Sequence, residues 1–160
     1  MDADSMEAAL EILRAHTRDI PPVAAIRARI AAYDGHCLRL AAPLAANVND
    51  KGSAFGGSMT SLMTYAGWGL VTLQLLQAGI QADVFVADST VRYRKPLYAD
   101  LQATATLAAG ESWEPFVATL TQRGRARIQV QAQILLRVDE MPEGETMADF
   151  AGRYVAIAKG

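Results

Sequence analysis

Two adjacent glycines, Gly56 and Gly57, stand near the start of a stretch that carries no charged side chain, residues 52–82. Because the spacing after them predicts a helix, their N–H groups would lack intrahelical partners and lie at the positive end of the helix dipole. The N–H of Gly57 could then receive an oxygen that becomes charged during a reaction, since glycine leaves the backbone open to approach. The alternative is structural: the two glycines only let the preceding loop enter a tightly packed helix.

A hydrolytic reaction at the Gly57 N–H also needs a base to activate water. The acids closest in sequence are Asp50 and Asp88. Asp88 interrupts an apolar run, where burying a carboxylate is costly unless the group is paired or used. The alternatives for Asp88 are a salt bridge with an arginine such as Arg92 and a solvent-facing position on the sheet. The alternative for Asp50 is a solvated loop position beside Lys51. Thr64 could orient water, although it cannot act as a base at neutral pH.

Four basic side chains are candidates for binding phosphate groups, namely Arg94, Lys95, Arg123 and Arg125. Two predicted strand ends could bring them together, and arginine suits phosphate because its guanidinium donates two parallel hydrogen bonds. A solvated rim of the sheet is the alternative.

The other reactive side chains are few. His16 is expected to end the first helix and His36 to lie in a hairpin turn, so neither is placed to act as a base or to form a metal cluster. Cys37, the only cysteine, is expected to be a small buried hydrophobe and suits a reducing compartment. The sequence therefore predicts no metal and no resident cofactor, and a cytoplasmic location.

Length and charge exclude several classes of protein. The 160 residues fit one domain, predicted as residues 1–160, and 51% of them are hydrophobic against 20% charged, which is typical of a globular chain. The net charge of -2 argues against a nucleic-acid partner. The acidic first residues and the charges that follow do not resemble a secretory signal.

The uncharged stretch predicts a long helix with two different sides. Apolar residues at steps of three and four make one stripe, and hydroxyl and aromatic residues make a second, Ser58, Ser61, Tyr65, Trp68 and Thr72. A helix without charge must be wrapped by the fold or sit in lipid. The hydroxyls, together with Gly67 and Gly69, favour the first reading, with the glycines allowing close approach of a strand.

Periodicity places this helix among strands. The predicted elements are a short N-terminal helix, strands at Val23–Ala32, His36–Ala42, Val84–Lys95, Leu101–Ala109, Phe116–Gln122 and Ala126–Val138, and a C-terminal helix around Thr146–Tyr154. Turn signals such as Asp34-Gly35 join strands as hairpins, which implies an antiparallel sheet. We therefore predict an α+β fold in which a six-stranded antiparallel sheet wraps a long central helix, with short helices at both ends.

This order of elements resembles the hot-dog fold of acyl-CoA thioesterases and dehydratases. The segments Asn49–Gly57 and Asp88–Tyr93 resemble a bacterial thioesterase domain of the YiiD C-terminal type, and the likeness covers a core of about Val23–Val138. The resemblance implies a homodimer, or a dimer of dimers, that pairs through the strand after the central helix. It also implies a site for an acyl-CoA between the two copies.

Phenylacetate-pathway thioesterases of this fold supply a pattern for comparison. They have an asparagine, a glycine three residues later, then His-Gly-Gly, and a catalytic aspartate nine residues after the histidine. Asn49, Gly52 and the glycine pair fit that spacing. Phe55 stands in place of the histidine and Thr64 in place of the aspartate.

The candidate site follows from these comparisons. Catalytic candidates are Asn49, Asp50, Gly57, Thr64 and Asp88, and substrate-binding candidates are Phe55, Gly56, Ser58, Ser61, Tyr65, Ser89, Arg94 and Lys95. The predicted function is hydrolysis of an acyl-CoA or acyl-carrier thioester, in which coenzyme A enters as part of the substrate. Two alternatives stay open, a non-catalytic acyl-CoA-binding module and a partner domain of an acetyltransferase. Neither a nucleic acid nor a membrane is an expected partner.

Overall fold

Over residues 2–138 and 141–160, which the computed structural model describes, the chain forms four α-helices and six strands. In chain order they are α1 Ala3–Asp19, α2 Pro21–Ala25, β1 Arg29–Tyr33, β2 Leu38–Ala42, α3 Gly56–Gln77, β3 Ala82–Tyr93, β4 Leu101–Leu107, α4 Trp113–Arg123, β5 Arg125–Val138 and β6 Met141–Ala158, with a 3-10 turn at Leu44–Ala46 between β2 and α3.

The six strands form one antiparallel sheet in the order β1-β2-β4-β5-β6-β3. The hairpin predicted around Asp34-Gly35 joins β1 to β2. At the other edge, β3 pairs with β6, so the chain crosses the whole sheet through α3 to reach it. The predicted α+β class, with a long helix packed on a six-stranded antiparallel sheet, is confirmed.

The central helix α3 packs its apolar side against the inner face of the sheet, where Leu70 is fully buried. Two glycines allow this close packing. A Cβ atom on Gly67 would lie 2.7 Å from Cζ of Tyr154 on β6, and one on Gly69 would lie 2.8 Å from a methyl group of Leu38 on β2. The glycines were expected to allow a strand to approach the helix closely. The parts of the strands that approach them are the side chains of Tyr154 and Leu38.

The segment predicted as the strand Phe116–Gln122 is instead the helix α4. Phe116 and Leu120, four residues apart, are both buried on its inner side. Glu114 in the first turn and Arg123 in the last turn complement the helix dipole, and Gly124 ends the helix with a left-handed backbone, φ 73°. The prediction was wrong because a short apolar run fits either period.

The predicted C-terminal helix is also wrong, because the segment forms the 18-residue strand β6. Side chains at alternate positions, Ala148, Phe150, Tyr154 and Ala156, are buried beneath α3. Gly152 shares this buried face and leaves room for the neighbouring rings, since a Cβ there would lie 2.6 Å from Phe150 Cζ. The period of two was present in the sequence, but the spacing of the larger apolar residues also fitted a helix.

The first predicted strand, Val23–Ala32, is divided between two elements. Pro21 and Pro22 occupy the first turn of α2, where a backbone N–H would have no partner within the helix and its absence from proline costs nothing. Val23 is the buried residue of that turn. Only Arg29–Tyr33 is extended. The sheet still has six strands, because β6 replaces the predicted strand that is the helix α4 in the structure.

A bulge divides β3 into two parts that face differently. The register with β6 shifts between Val86 and Asp88, which leaves Ala87 as the extra residue. Tyr93 reaches the first turn of α3 with its hydroxyl group, so its side chain lies on the inner face of the sheet. Because side chains alternate along a strand, Asp88 lies on the outer face.

The core extends beyond the predicted range of about 23–138. It includes Leu10 and Leu13 from α1 at one end of the chain and Phe150 and Tyr154 from β6 at the other. In the described part of the chain, no helix combines the length and the apolar character that crossing a membrane would require.

Candidate functional site

The first turn of α3 leaves backbone donors free, as the sequence predicts. The N–H groups of Ser58 and Met59 both donate to the carbonyl oxygen of Phe55, at 3.0 and 3.1 Å. Within the described residues, the N–H groups of Gly56 and Gly57 have no backbone partner. Gly57 as a residue is exposed at the surface.

Phe55 stands beside this donor. Its side chain is 56% exposed, and a Cβ atom on Gly57 would lie 2.5 Å from its Cε2 atom. The glycine therefore gives the ring a place to lie next to the exposed backbone. Gly56 has more room, since a Cβ there would lie 3.4 Å from the ring of Tyr93.

The loop before α3 is held by Asn49. Its side-chain oxygen accepts the N–H of Lys51 at 2.8 Å and the N–H of Ser53 at 3.1 Å, and its Nδ2 donates to the Ser53 hydroxyl at 2.9 Å. A pairing of Val48 with Ala54 closes the base of the loop. Asn49 therefore shapes the loop, and its polar atoms are engaged there.

Tyr93 joins the end of β3 to the start of α3. Its hydroxyl donates to the carbonyl oxygen of Gly56 at 3.0 Å and is hydrogen-bonded to the Thr60 hydroxyl. Since the single phenol proton goes to Gly56, Thr60 is the donor in the second bond. Neither Tyr93 nor Thr60 was among the predicted site residues. The signal for Tyr93 was an aromatic residue at the end of a strand that closely follows the helix.

One side of α3 borders a cavity of about 330 Å³, called here the helix-face cavity. The helix contributes Thr60, Ser61, Thr64, Tyr65 and Trp68, and apolar side chains such as Val23 and Val86 form other walls. Residues 57, 61, 64 and 68 are four, three and four apart, so they lie on one side of the helix. Three residues of the predicted polar stripe, Ser61, Tyr65 and Trp68, thus line this cavity, and Gly57 lies one helical turn before Ser61 on the same side of the helix.

The tyrosines around the cavity are protonated donors. Tyr154 donates to the carbonyl oxygen of Thr64 at 2.6 Å, and Tyr65 is hydrogen-bonded to Thr17 at 2.9 Å. Burial raises the pKa of both phenols above the ordinary value. Neither phenol therefore supplies a base near neutral pH.

One family of known proteins matches most of the chain. Residues 9–158 match the model of the family described as Putative thioesterase (yiiD_Cterm). The chain belongs to this family. The resemblance to a thioesterase domain of the YiiD C-terminal type, noted in the sequence, is thereby confirmed.

Solved structures share the fold of this family member. A protein of unknown function from Chlorobaculum tepidum is 29% identical with a TM-score of 0.86, over 93% of this chain and 94% of that one. The putative thioesterase from Shewanella oneidensis is 26% identical with a TM-score of 0.79, over 94% and 99% of the two chains. A thioesterase from Haemophilus influenzae, 17% identical over 93% and 90% of the chains with a TM-score of 0.70, shows the fold alone.

In this thioesterase-family chain, the two candidate acids lie in different places. The Asp50 side chain is 80% exposed at the loop and pairs with Lys51 at 2.8 Å. Asp88 pairs with Arg153 on the outer face of the sheet, opposite to the face that Gly57 and the cavity share. The salt bridge considered for Asp88 thus exists, but its partner is Arg153 and not Arg92.

The predicted serines are also dispersed. Ser61 lines the helix-face cavity, whereas Ser58 is buried in the first turn of α3. Ser89 lies on the inner face of β3 by alternation from Tyr93 and is exposed. Of the three, Ser61 is the one that the structure brings to the cavity.

The basic candidates do not converge. Arg94 pairs with Asp149, and Lys95 pairs with Glu145 at 2.6 Å, so both are tied to β6. Arg125 pairs in register with Ile157 of β6, whereas the Arg94 N–H donates to the Met147 carbonyl oxygen. Ten residues of β6 separate these points, which is about 33 Å along a strand. The predicted grouping with Arg123 and Arg125 is therefore wrong.

Proposed function

We propose that the protein hydrolyses an acyl-CoA, or a related acyl-carrier thioester, at a site between two copies of the chain. One observation carries the proposal. The free N–H of Gly57 and the helix-face cavity lie on the same side of α3. The donor for the thioester oxygen is therefore four residues, about 6 Å along the helix, from Ser61, which lines a space for the acyl chain.

The proposed chemistry begins at Gly57. Its N–H donates to the thioester carbonyl oxygen, which becomes charged when water attacks the carbonyl carbon. The C–S bond then breaks, and the products are the carboxylic acid and the thiol. A preorganised donor at such an oxygen is worth about 2.7 to 4 kcal/mol, and the helix N-terminus favours the same charge.

The acyl chain would lie along α3. Gly57 and Thr64 are seven residues apart, which is about 10 Å at the helical rise of 1.5 Å per residue. In this pose Phe55 and Gly56 flank the carbonyl, and Ser61, Thr64 and Tyr65 contact the first part of the chain. Arg94 and Lys95 remain candidates for the coenzyme A phosphates, since both side chains are about half exposed or more, at 48% and 61%.

Water activation is proposed for Asp50. Asp88 is paired on the outer face of the sheet, whereas Asp50 is an exposed acid on the loop that leads into Gly56 and Gly57. Asn49 holds that loop in shape, and the Thr64 hydroxyl can orient the water from the helix. Substitution of Asp88 then serves as the comparison for substitution of Asp50.

A homodimer would pair two copies of β3. The strand is twelve residues long and lies at the edge of the sheet, with Phe85 and Val86 exposed to 55% and 43%. A long edge strand with exposed apolar side chains is a template for pairing with another strand. Sedimentation of the purified protein tests this, because a monomer at all concentrations contradicts it. A dimer of dimers would appear as twice the dimer mass.

The activity is tested by thiol release from a panel of acyl-CoA thioesters with the native sequence, Asp50→Asn and Asp88→Asn. We expect turnover by the native chain, its loss in Asp50→Asn with binding retained, and little change in Asp88→Asn. Absence of turnover with every thioester contradicts the proposal.

The absence of a carboxylate among the helix-face cavity residues of the described chain favours a second candidate, an acyl-CoA-binding module. Binding without hydrolysis in the same panel would support it. Co-purification with an acetyltransferase would indicate the third alternative, a partner domain. Cys37 is free, which fits the reducing cytoplasmic location that forms part of this proposal.

A further inference from the structure

We propose that Trp68 is the end wall of the helix-face cavity and thereby limits the length of acyl chain that the protein accepts. The inference rests on the thioester hydrolysis proposed above and names the residue that selects among its substrates.

Trp68 stands between two cavities. On one side is the helix-face cavity of about 330 Å³, and on the other is a larger cavity of about 410 Å³. Among the described residues, Trp68 is the one that lines both. A chain that enters from Gly57 therefore meets the indole before it can reach the second cavity.

The wall is fixed from three elements. The indole Nε1 donates to the carbonyl oxygen of Val84 on β3 at 2.8 Å. The ring stacks on Tyr65 with centroids 5.5 Å apart and an angle of 18° between the planes, and it meets the edge of His16 of α1 at 5.5 Å and 89°. Moving the indole would break a hydrogen bond and two aromatic contacts, so the wall is held closed.

The position of the wall sets a length. Gly57 and Trp68 are eleven residues apart on one side of α3, which is about 16 Å at the helical rise. An extended alkyl chain gains about 1.3 Å per C–C bond, so a chain of about twelve carbons, held at its carbonyl by Gly57, ends at the indole. A longer chain meets the ring and is rejected by steric contact.

The second cavity could accept the end of a longer chain once the ring is removed. It is lined in part by Leu75, Leu76 and Ile80, which suit an alkyl chain. Among the described residues that line this second cavity, Thr72 is the one with a buried polar side-chain atom, its hydroxyl oxygen, that has no hydrogen-bond partner. Thr72 lies four residues after Trp68, on the same side of α3. Trp68→Ala would join the two cavities into one channel along the helix.

The test compares kcat/KM for butanoyl-, octanoyl-, dodecanoyl- and hexadecanoyl-CoA in the native protein, Trp68→Ala and Trp68→Phe. We expect the native protein to turn over octanoyl-CoA and to discriminate against hexadecanoyl-CoA. Trp68→Ala should raise the ratio of long-chain to medium-chain kcat/KM by about tenfold or more, which is the scale on which one or two methylene groups are discriminated in a pocket. Trp68→Phe, which keeps a ring, should shift this ratio less.

Two failures are distinguishable in this experiment. If the native protein hydrolyses none of the thioesters, the proposed function fails and the inference falls with it. If the native protein is active and Trp68→Ala has the native length profile, the wall is overturned while the function stands.

A second measurement does not depend on a stable Trp68 variant. The chain has two tryptophans, and Trp113 lies on α4, where it contacts Phe116 and lines neither cavity. In a Trp113→Phe background, Trp68 is the only indole. Its emission should change on binding dodecanoyl-CoA, whose chain is long enough to reach the indole, and stay constant on binding butanoyl-CoA. Constant emission with every bound chain overturns the inference.

Discussion

Removing the N–H of Gly57 without changing anything else is the sharpest test of the site. Gly57→Pro deletes this donor, and no helical hydrogen bond is lost because the group has no backbone partner within the described chain. Gly57→Ala is the matched control. Both substitutions add a Cβ atom beside the ring of Phe55, but only proline removes the N–H.

The expected magnitude follows from the role of the donor. Loss of one hydrogen bond to a developing oxyanion costs about 2.7 to 4 kcal/mol of barrier, which is a fall in kcat of about a hundred- to a thousandfold. Gly57→Ala should lose much less, because the Phe55 ring is 56% exposed and can move away from the new methyl group. Thiol release with the best acyl-CoA measures kcat in both variants.

The folding of both variants must be compared, because proline disfavours a helical conformation in the residue before it. Free energies of unfolding, measured by urea denaturation, that agree within about 1 kcal/mol would assign the difference in kcat to the donor. If Gly57→Pro keeps a kcat within a factor of about ten of Gly57→Ala, the oxyanion role of Gly57 is refuted.

Three further predictions concern stability. Gly67→Ala should destabilise by about 2 kcal/mol in urea denaturation, since its methyl group would lie 2.7 Å from Tyr154 Cζ, and an unchanged midpoint would contradict this packing. Tyr93→Phe should cost about 1 kcal/mol by losing the hydrogen bonds with Gly56 and Thr60 and should lower turnover; native values would exclude the link between β3 and α3. Burial raises the pKa of Tyr33 to about 12, so the unfolded chain ionises first and stability should fall as pH rises from about 10 to about 12. Tyr33→Phe should show a smaller fall in Tm over this range, and an equal fall would refute the assignment.

Much of the fold could be predicted because its central helix has an unusual composition. A helix without charge that starts at Gly56 has to be wrapped, and hairpin turns such as Asp34-Gly35 indicated what wraps it. The predictions for two elements were wrong for the same reason. Phe116–Gln122 and the segment from Thr146 to Tyr154 each contain apolar residues whose spacing fits both periods, and burial by distant parts of the chain decides between them.

The positions of the candidate site residues were easier to predict on the helix than on the strands. Gly57, Ser61 and Thr64 could be placed together because helical spacing is regular. Asp88 could not be placed, because the bulge at Ala87 changes which face of the sheet the following side chains occupy. No pattern in the sequence around Ala87 predicts this bulge.

The position of β6 between β5 and β3 has a consequence for synthesis on the ribosome. β3 is synthesised before β4, α4 and β5 but pairs with β6, so its backbone groups have no strand partner within the chain until β6 has been made. Until then the sheet has an open gap beside β5, and the apolar side of α3 that Phe150 and Tyr154 cover is in contact with water. A nascent chain would therefore expose this apolar surface until β6 has been synthesised, and chaperones that bind apolar segments could bind it during that time.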